Sequence, residues 1–209
     1  SNGQTLSNQM YRICLIITVV CALVNCNPES ITKQNGVWQL AFDEPVLGAY
    51  LCAFGNEEGV WVVGGQPQSG IVWHRRDGHW ELATIPEGPL LNWTHGAAGH
   101  QWIVGNRGRI LYKSPTAEQW VTEESGTSEP LWGIWAADPE HVYAVGGNPI
   151  DIGDADPVLL KRANGQWSRI ELPDIDREFR ALFKIWGTSG DRIFAVGARG
   201  IILHFNGER

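Results

Sequence analysis

Apolar and polar residues alternate along this chain in short runs that recur at regular intervals. A Val-Gly step marks each recurrence and follows a run rich in β-branched and aromatic residues, which favour strands. The four steps are Val63-Gly64, Val104-Gly105, Val145-Gly146 and Val196-Gly197. Their separations of 41, 41 and 51 residues are typical of a β-propeller blade and not of a helical repeat.

Each period contains four strand-like runs, which is the content of one propeller blade. The innermost strand comes first, at residues 50–54, 91–95, 131–135 and 182–186. The run at the Val-Gly step and the run after it form a hairpin. In the turns at 105–108 and 197–200 we expect the glycines to supply the positive φ angles. The sequence therefore predicts an all-β protein with about four blades of four strands.

Eleven Trp residues could serve either to stack on carbohydrate or to fill the wedge between neighbouring blades. Trp80, Trp120 and Trp167 recur in register at the start of the predicted outer strand. This regularity favours packing between blades. Truncating a fully buried Trp would then cost about 3–5 kcal/mol.

The predicted blades cover residues 48–85, 89–125, 129–173 and 180–209, within a propeller domain at 35–209. The last blade is incomplete, because it stops where the others place their outer-strand Trp. Residues 35–40 resemble an outer strand with no blade before it. Two arrangements are open: a closed four-bladed ring, or an open or truncated arc of a larger propeller. The stop within a turn motif favours the arc.

The residues before the repeats resemble a targeting segment. Residues 1–9 form an upstream extension, 10–26 a signal peptide and 27–34 a linker. Arg12 precedes a 12-residue apolar run at 13–24, which is too short for an ordinary membrane-spanning helix. The run ends near Cys26, where either lipoprotein-type lipidation or ordinary cleavage would follow. We expect an exported protein that is periplasmic, extracellular or an outer-membrane lipoprotein.

Composition narrows the possible partners. With 43% hydrophobic and 19% charged residues, the chain is typical of a globular protein with one domain. Its net charge of -7 argues against nucleic acid and anionic lipid, which require basic surfaces. Contact with a membrane would come only through a lipid anchor. Cys52, on a predicted inner strand, is interpreted as a small buried residue, and no zinc-ligand spacing occurs.

The 51-residue step contains an acidic insertion at 148–157. Asp151, Asp154 and Asp156 could present oxygen ligands to Ca²⁺, although their spacing is not that of an EF-hand loop. The alternative is a solvated acidic loop. Calcium is the one cofactor that the sequence suggests, and no other is expected.

Loops on a rigid scaffold carry most recognition. When the inner strand comes first, the turn between the second and third strands lies on the same face as the connection between blades. We therefore predict a binding face that carries one residue from each of these turns and two acids from a connection. These residues are Gln66, Arg107, Asn148, Arg199, Asp174 and Asp176.

Candidate catalytic groups are sparse. His95 occupies the inner-strand position that holds Phe54, Trp135 and Trp186 in the other repeats, and we interpret it as a packing or water-bonded residue. No acidic residue lies on the predicted inner strands, whereas glycoside hydrolysis uses two carboxylates. No Ser-His-Asp order, phosphate loop or dinucleotide motif occurs. No catalytic residue is predicted.

Two segments, 131–146 and 185–197, resemble the repeats of bacterial exported propeller proteins, in which a Trp-Gly motif leads to an Ala-Val-Gly step. The resemblance covers residues 38–209 and extends to sialidase-like, BNR-type and photosystem-assembly-factor propellers. It implies the fold more strongly than any activity. The segment 74–80 only partly echoes the Asp-box of sialidases, since it lacks the Ser and has a different Gly-to-Trp spacing. The catalytic Tyr-Glu pair and the three-Arg cluster have no counterparts.

We therefore expect a non-enzymatic binding or scaffold module for a protein or glycan partner at the cell envelope. The alternative is a sialidase-like glycoside hydrolase or lyase whose catalytic residues lie in missing blades.

Overall fold

The computed structural model describes residues 38–41, 48–150, 156–176 and 178–208. Its contacts divide the chain into a unit at 1–43 and a unit at 44–209. The predicted signal peptide, the linker and Cys26 lie outside the described residues. In the first unit, residues 38–40 form no strand, so the prediction of an outer strand there is wrong for them. Trp38 is fully exposed and Leu40 largely so, and neither buries the surface that would stabilise a strand.

The second unit consists of four antiparallel sheets that follow one another along the chain. Three sheets have four strands, and the described residues of the fourth form three. The first two sheets contain β1 (Ala49–Asn56), β2 (Gly59–Gln66), β3 (Ser69–Arg76), β4 (His79–Leu82), β5 (Leu91–Ala97), β6 (His100–Gly105), β7 (Ile110–Lys113) and β8 (Val121–Glu123). The other two contain β9 (Leu131–Asp138), β10 (His141–Gly146), β11 (Val158–Ala163), β12 (Gln166–Arg169), β13 (Leu182–Ser189), β14 (Arg192–Gly197) and β15 (Ile202–Phe205).

Each sheet keeps its strands in chain order, and the first strands of neighbouring sheets lie side by side. This is the arrangement of propeller blades with the inner strand first. Neighbouring sheets form an open arc, and the described residues do not close it into a ring. The predicted all-β propeller fold with an open arc is confirmed.

The glycine of each Val-Gly step is required by a close approach of the backbone. A Cβ atom on Gly105 would lie 2.2 Å from the carbonyl oxygen of Leu90, the residue that leads into the inner strand of the same sheet. The other three steps have the same contact at 2.0–2.2 Å, from Gly64 to Ala49, from Gly146 to Pro130 and from Gly197 to Ala181. The recurring glycine therefore lets the hairpin pack against the chain as it enters the sheet.

The predicted φ angles of the two tight turns are only partly correct. Gly105 and Gly197 begin these turns in extended conformation, with φ of -157° and -158°. The positive φ angles belong to the third and fourth residues of each turn, namely Arg107, Gly108, Arg199 and Gly200. The first glycine serves the close approach described above, and an arginine adopts the left-handed conformation.

Aromatic side chains fill the wedges between the sheets. Trp102 is fully buried and belongs to a cluster between the second and third sheets, and Trp61 has the same role between the first and second. Trp120 is buried and meets Trp61 edge-on at 5.4 Å. Trp80 and Trp167 are partly buried. Packing between blades, the structural interpretation of these Trp residues, is confirmed for Trp120. Cys52 is buried, as predicted.

The side of the fourth sheet that faces away from the third sheet carries exposed apolar residues. Phe194, Val196 and Ile202 are 40–68% exposed, and Trp186 beside them is 60% exposed. At the positions of Val196 and Ile202, the second sheet has Val104 and Ile110, which are paired with each other and fully buried by the third sheet. We call the four exposed residues the open face.

Candidate binding groove on the turn face

The turns between the second and third strands lie at the same end of the sheets as the connections that lead to the next sheet. The Gly108 N–H donates to the carbonyl of Glu129 at 2.8 Å, and the Gly147 N–H donates to that of Pro130 at 3.0 Å. Turn and connection are thus joined by main-chain hydrogen bonds. We call this end of the first three sheets the turn face.

A groove of about 410 Å³ crosses the turn face from the first sheet to the third. Two residues of the predicted binding face, Arg107 and Asn148, line it together. The complete lining consists of Pro67, Gln68, Asn106, Arg107, Ser128, Pro130, Trp132, Asn148, Pro149 and Ile150. It includes three amide side chains, one cation and no carboxylate.

Arg107 supplies the positive charge of the groove. It is exposed and occupies the centre of the turn Asn106–Gly108, with φ 56° and ψ 40°. The turn is held by hydrogen bonds from the Gly105 N–H to the Arg109 carbonyl and from the Arg109 N–H to the Asn106 carbonyl. None of the ion pairs among the described residues includes Arg107. Its guanidinium group is therefore available to an anionic partner.

Trp132 forms the apolar floor of the groove, and hydrogen bonds hold both its side chain and its main chain. Its indole N–H donates to the Gly147 carbonyl at 2.8 Å, and its own carbonyl accepts from Lys184 Nζ at 2.8 Å. The same ammonium group lies 3.5 Å from the centroid of the Trp93 ring. Lys184 therefore connects the fourth sheet to the third and the second. This contact keeps Trp132 in place under the groove.

The amide edge of the groove is also oriented from below. Asn92 is buried and donates through Nδ2 to the Asn106 side-chain oxygen at 3.0 Å and to the Leu131 carbonyl at 2.9 Å. Asn106 is thereby fixed with its carbonyl oxygen toward Asn92. On the opposite side, Ile150 leaves 60% of its surface exposed. The groove thus offers amide groups, exposed apolar surface and one guanidinium.

A second, more polar pocket of about 500 Å³ adjoins the groove and shares Arg107 and Ser128 with it. Its base is Arg109, which is buried and donates to the carbonyls of Pro86 and Pro89. Burial lowers the pKa of Arg109 to about 10. Because Arg109 binds the connection between the first two sheets, its role is to hold the wall of the pocket.

The other predicted binding-face residues lie apart from the groove. Gln66 is exposed at the end of β2, next to the groove residue Pro67. Arg199 is exposed at the centre of the equivalent turn of the fourth sheet, with φ 55°. Asp174 and Asp176 are exposed and do not line the groove. The groove therefore brings together two of the six predicted residues.

The predicted calcium site falls largely outside the described residues, which exclude Asp151 and Asp154. Asp156 is described, is exposed and lies 3.8 Å from Arg169. Within the described ranges no three His, Cys, Asp or Glu side chains are grouped as a metal site requires. The calcium site stays a prediction. In the same part of the chain no helix is long and apolar enough to cross a membrane.

His95 lies among aromatic rings, as its position in the repeat suggests. The Phe54 ring is 4.6 Å away and the Trp135 ring 6.4 Å away, measured between centroids. The Ala136 N–H donates to Nδ1 of His95 at 3.2 Å. Burial lowers the pKa of this imidazole to about 4, so it is neutral at neutral pH.

We expect His95 to make the protein less stable in mild acid. Because its folded pKa lies below the unfolded value of about 6.5, the unfolded chain binds the proton more tightly. Above pH 6.5, His95 therefore does not lower the free energy of unfolding. As the pH falls to about 4, protonation of this residue in the unfolded chain lowers that free energy by about 3 kcal/mol. Urea unfolding at several pH values, for the natural chain and for His95→Gln, measures the effect. An equal loss of stability in both proteins would contradict it.

The sequence did not reveal Trp132, Asn106 or Asn92 as parts of the groove. A signal was present for Asn92: it stands on the inner strand of the second sheet, and the equivalent residues in the other sheets are Leu51, Trp132 and Phe183. A polar residue at such a position is informative, because it needs a buried partner.

Comparisons with known proteins identify the fold. No protein-family model matches the chain, and no curated protein sequence is detectably similar to it. Among solved structures, the chain is similar to YCF48 from Cyanidioschyzon merolae, a β-propeller, with a TM-score of 0.59 and 16% sequence identity. The similarity covers 78% of this chain and 52% of that one. The chain thus spans about half the length of the structure it matches.

Proposed function

We propose that this propeller arc is a non-enzymatic binding or scaffold module that holds a protein partner in the groove around Arg107. The observation that carries the proposal is the composition of the groove, in which a guanidinium without an ion pair among the described residues stands beside amide side chains and exposed apolar surface. Amides can bind the backbone of an extended peptide, and arginine binds carboxylates with two parallel hydrogen bonds. A segment with an acidic and a large apolar side chain fits this chemistry.

We further propose that the protein acts at the cell envelope. The apolar run at 13–24 and the resemblance to exported bacterial repeats support export. Lipidation at Cys26 would add a membrane anchor. A location assay with the Cys26→Ala variant tests this part by itself: release of the variant from the membrane fraction supports lipidation, and unchanged fractionation contradicts it.

The binding function can be tested with arrays of immobilised peptides and glycans. We expect the natural chain to select peptides that contain both acidic and large apolar residues, and Arg107→Ala to weaken that binding about tenfold or more. Arg199→Ala is the matched control, because Arg199 has the same turn conformation outside the groove. Selection of glycans instead of peptides would replace the proposed partner class. Hydrolysis of a glycan that is abolished by Arg107→Ala would favour the hydrolase alternative.

Arg107→Gly should separate binding from stability. The φ of 56° at Arg107 is strained for a residue with a Cβ atom, and glycine adopts this conformation freely. We therefore expect the variant to unfold within about 1 kcal/mol of the natural chain and to lose the same binding as Arg107→Ala. Thermal unfolding and the peptide array measure the two effects. A loss of several kcal/mol would show that Arg107 stabilises the turn through its side chain.

A further inference from the structure

The fourth sheet differs from the other three at its outer edge. In the first three sheets a fourth strand, β4, β8 or β12, pairs with the third. The third strand of the fourth sheet, β15, pairs only with β14 in the described part of the chain. Its other edge therefore presents main-chain N–H and C=O groups with which an added strand can pair.

An apolar pocket of about 150 Å³ adjoins this edge, between the third and fourth sheets. Leu159, Ile170 and Leu203 in its wall are partly exposed, and Phe205 is 41% exposed, so solvent reaches these side chains. The complete lining consists of Tyr143, Leu159, Lys161, Ile170, Ile185, Ile193, Ala195, Leu203 and Phe205.

Between the first and second sheets, a Trp fills the corresponding space. Trp120 directly precedes the outer strand β8, is 5% exposed and meets Trp61 edge-on at 5.4 Å. When the repeats are aligned on the Val-Gly step, four residues of the apolar cluster around Trp120 stand at the positions of pocket residues. The corresponding residues are Trp61 and Tyr143, Val72 and Leu159, Ile103 and Ala195, and Leu111 and Leu203.

The same arrangement recurs between the second and third sheets. Trp167 of β12 packs against the apolar cluster that these two sheets share. Three members of that cluster, Trp102, Ala144 and Leu160, correspond in turn to the pocket residues Tyr143, Ala195 and Leu203. The pocket is therefore the place where an aromatic residue on an added outer strand would be buried.

Lys161 adds one positive charge to the pocket. It is the single charged residue of the lining, and its Nζ lies 5.7 Å from the centroid of the Tyr143 ring. No ion pair among the described residues includes it. A carboxylate close to the aromatic residue of an arriving segment is complementary to this charge.

We infer that β15 and this pocket bind an extended segment of a partner protein, which adds to the sheet as a fourth strand and buries an aromatic residue between the third and fourth sheets. A carboxylate close to that residue faces Lys161. Main-chain hydrogen bonds to β15 supply affinity, and the pocket selects the aromatic side chain. The site shares no lining residue with the Arg107 groove and does not depend on it.

The test uses the full chain and a labelled synthetic peptide with the sequence of residues 117–124, which contains Trp120 and three Glu residues. By fluorescence anisotropy we expect this peptide to bind, and its Trp120→Ala form to bind about tenfold more weakly or less. If the peptide does not bind, or if the two forms bind equally, the inference is overturned.

Two variants of the chain locate the binding. Phe205 and Phe194 are 41% and 44% exposed, but Phe205 lines the pocket whereas Phe194 belongs to the open face. Because both side chains are partly exposed, both variants should fold. We expect Phe205→Ala to weaken binding of the peptide about tenfold and Phe194→Ala, the matched control, to leave it unchanged. The reverse result would place the peptide on the open face and contradict the inference.

Strand addition and the source of the segment are tested separately. Because a strand in a ladder uses alternate N–H groups toward one neighbour, methylation of alternate main-chain nitrogens in two peptides should abolish binding of one and spare the other. Binding by both would contradict an added strand. Sedimentation of the chain by itself examines a second copy: dimers that the peptide dissociates would identify another copy of this chain as the occupant and overturn the inference of a partner protein.

Discussion

Replacing Arg162 with Met should lower the free energy of unfolding by about 3–5 kcal/mol, because it leaves the Glu123 carboxylate buried without its counter-ion. The two side chains are only 10% and 11% exposed. Arg162 donates from Nε and Nη2 to both carboxylate oxygens at 2.7–3.1 Å. Because Glu123 belongs to β8 and Arg162 to β11, the ion pair joins the second and third sheets.

Neighbouring groups make this ion pair difficult to replace. The Trp167 indole N–H donates to Glu123 at 2.7 Å, and the Arg162 guanidinium lies 4.7 Å from the centroid of the Tyr112 ring. Burial by itself lowers the pKa of Arg162, but the hydrogen bonds and charge of Glu123 outweigh it and the net shift is upward. The guanidinium therefore stays charged in the folded protein.

Arg169→Met provides the control for Arg162→Met. Its guanidinium lies 3.8 Å from Asp156, and the two side chains are 49% and 83% exposed, so the ion pair is screened by water. Urea unfolding should show a change of less than about 1 kcal/mol for this variant. If Arg162→Met and Arg169→Met lowered the free energy of unfolding by similar amounts, burial would not determine how much each ion pair stabilises the protein.

Ile110→Ala and Ile202→Ala should differ strongly in their effect on stability, although both remove the same atoms from equivalent strands. Ile110 is fully buried between the second and third sheets, and its truncation should cost about 2–5 kcal/mol through lost burial and the cavity left behind. Ile202 belongs to the open face and is 68% exposed, so its truncation should cost less than about 0.5 kcal/mol.

The measurement for this pair is chemical unfolding at low protein concentration, repeated at high concentration. At low concentration a large cost for Ile202→Ala would contradict the open face, since it would show that another group covers this residue. A cost that appears only at high concentration would identify association of chains through the open face.

The fold was readable from the sequence because the same local requirements recur in every repeat. Gly105 and its three counterparts stand where the backbone approaches closely, and Trp120 stands where a wedge between sheets must be filled. Because the same position of each repeat has the same requirement, the same residue type recurs about every 41 residues and can be recognised in the sequence.

The repeat pattern does not predict the groove or the buried ion pair. Arg107, Trp132 and Asn148 come from three different segments, and their proximity depends on how far each turn reaches across the face. Glu123 and Arg162 are 39 residues apart, and nothing in either segment shows that they meet. A periodic pattern identifies what the repeats share, whereas these contacts depend on residues that occur in one repeat only.

The close-approach glycine also separates the sheet from the turn that follows it. In the third sheet, the chain makes a longer excursion after Gly147, yet Val158 still pairs with Gly146 and the hairpin resumes. Since the hairpin is anchored before the turn begins, the length of the turn can change without moving the strands. The turn after Gly197 is therefore a natural position for grafting a foreign peptide, because an added Cβ on its Gly200 would meet no atom within 4 Å.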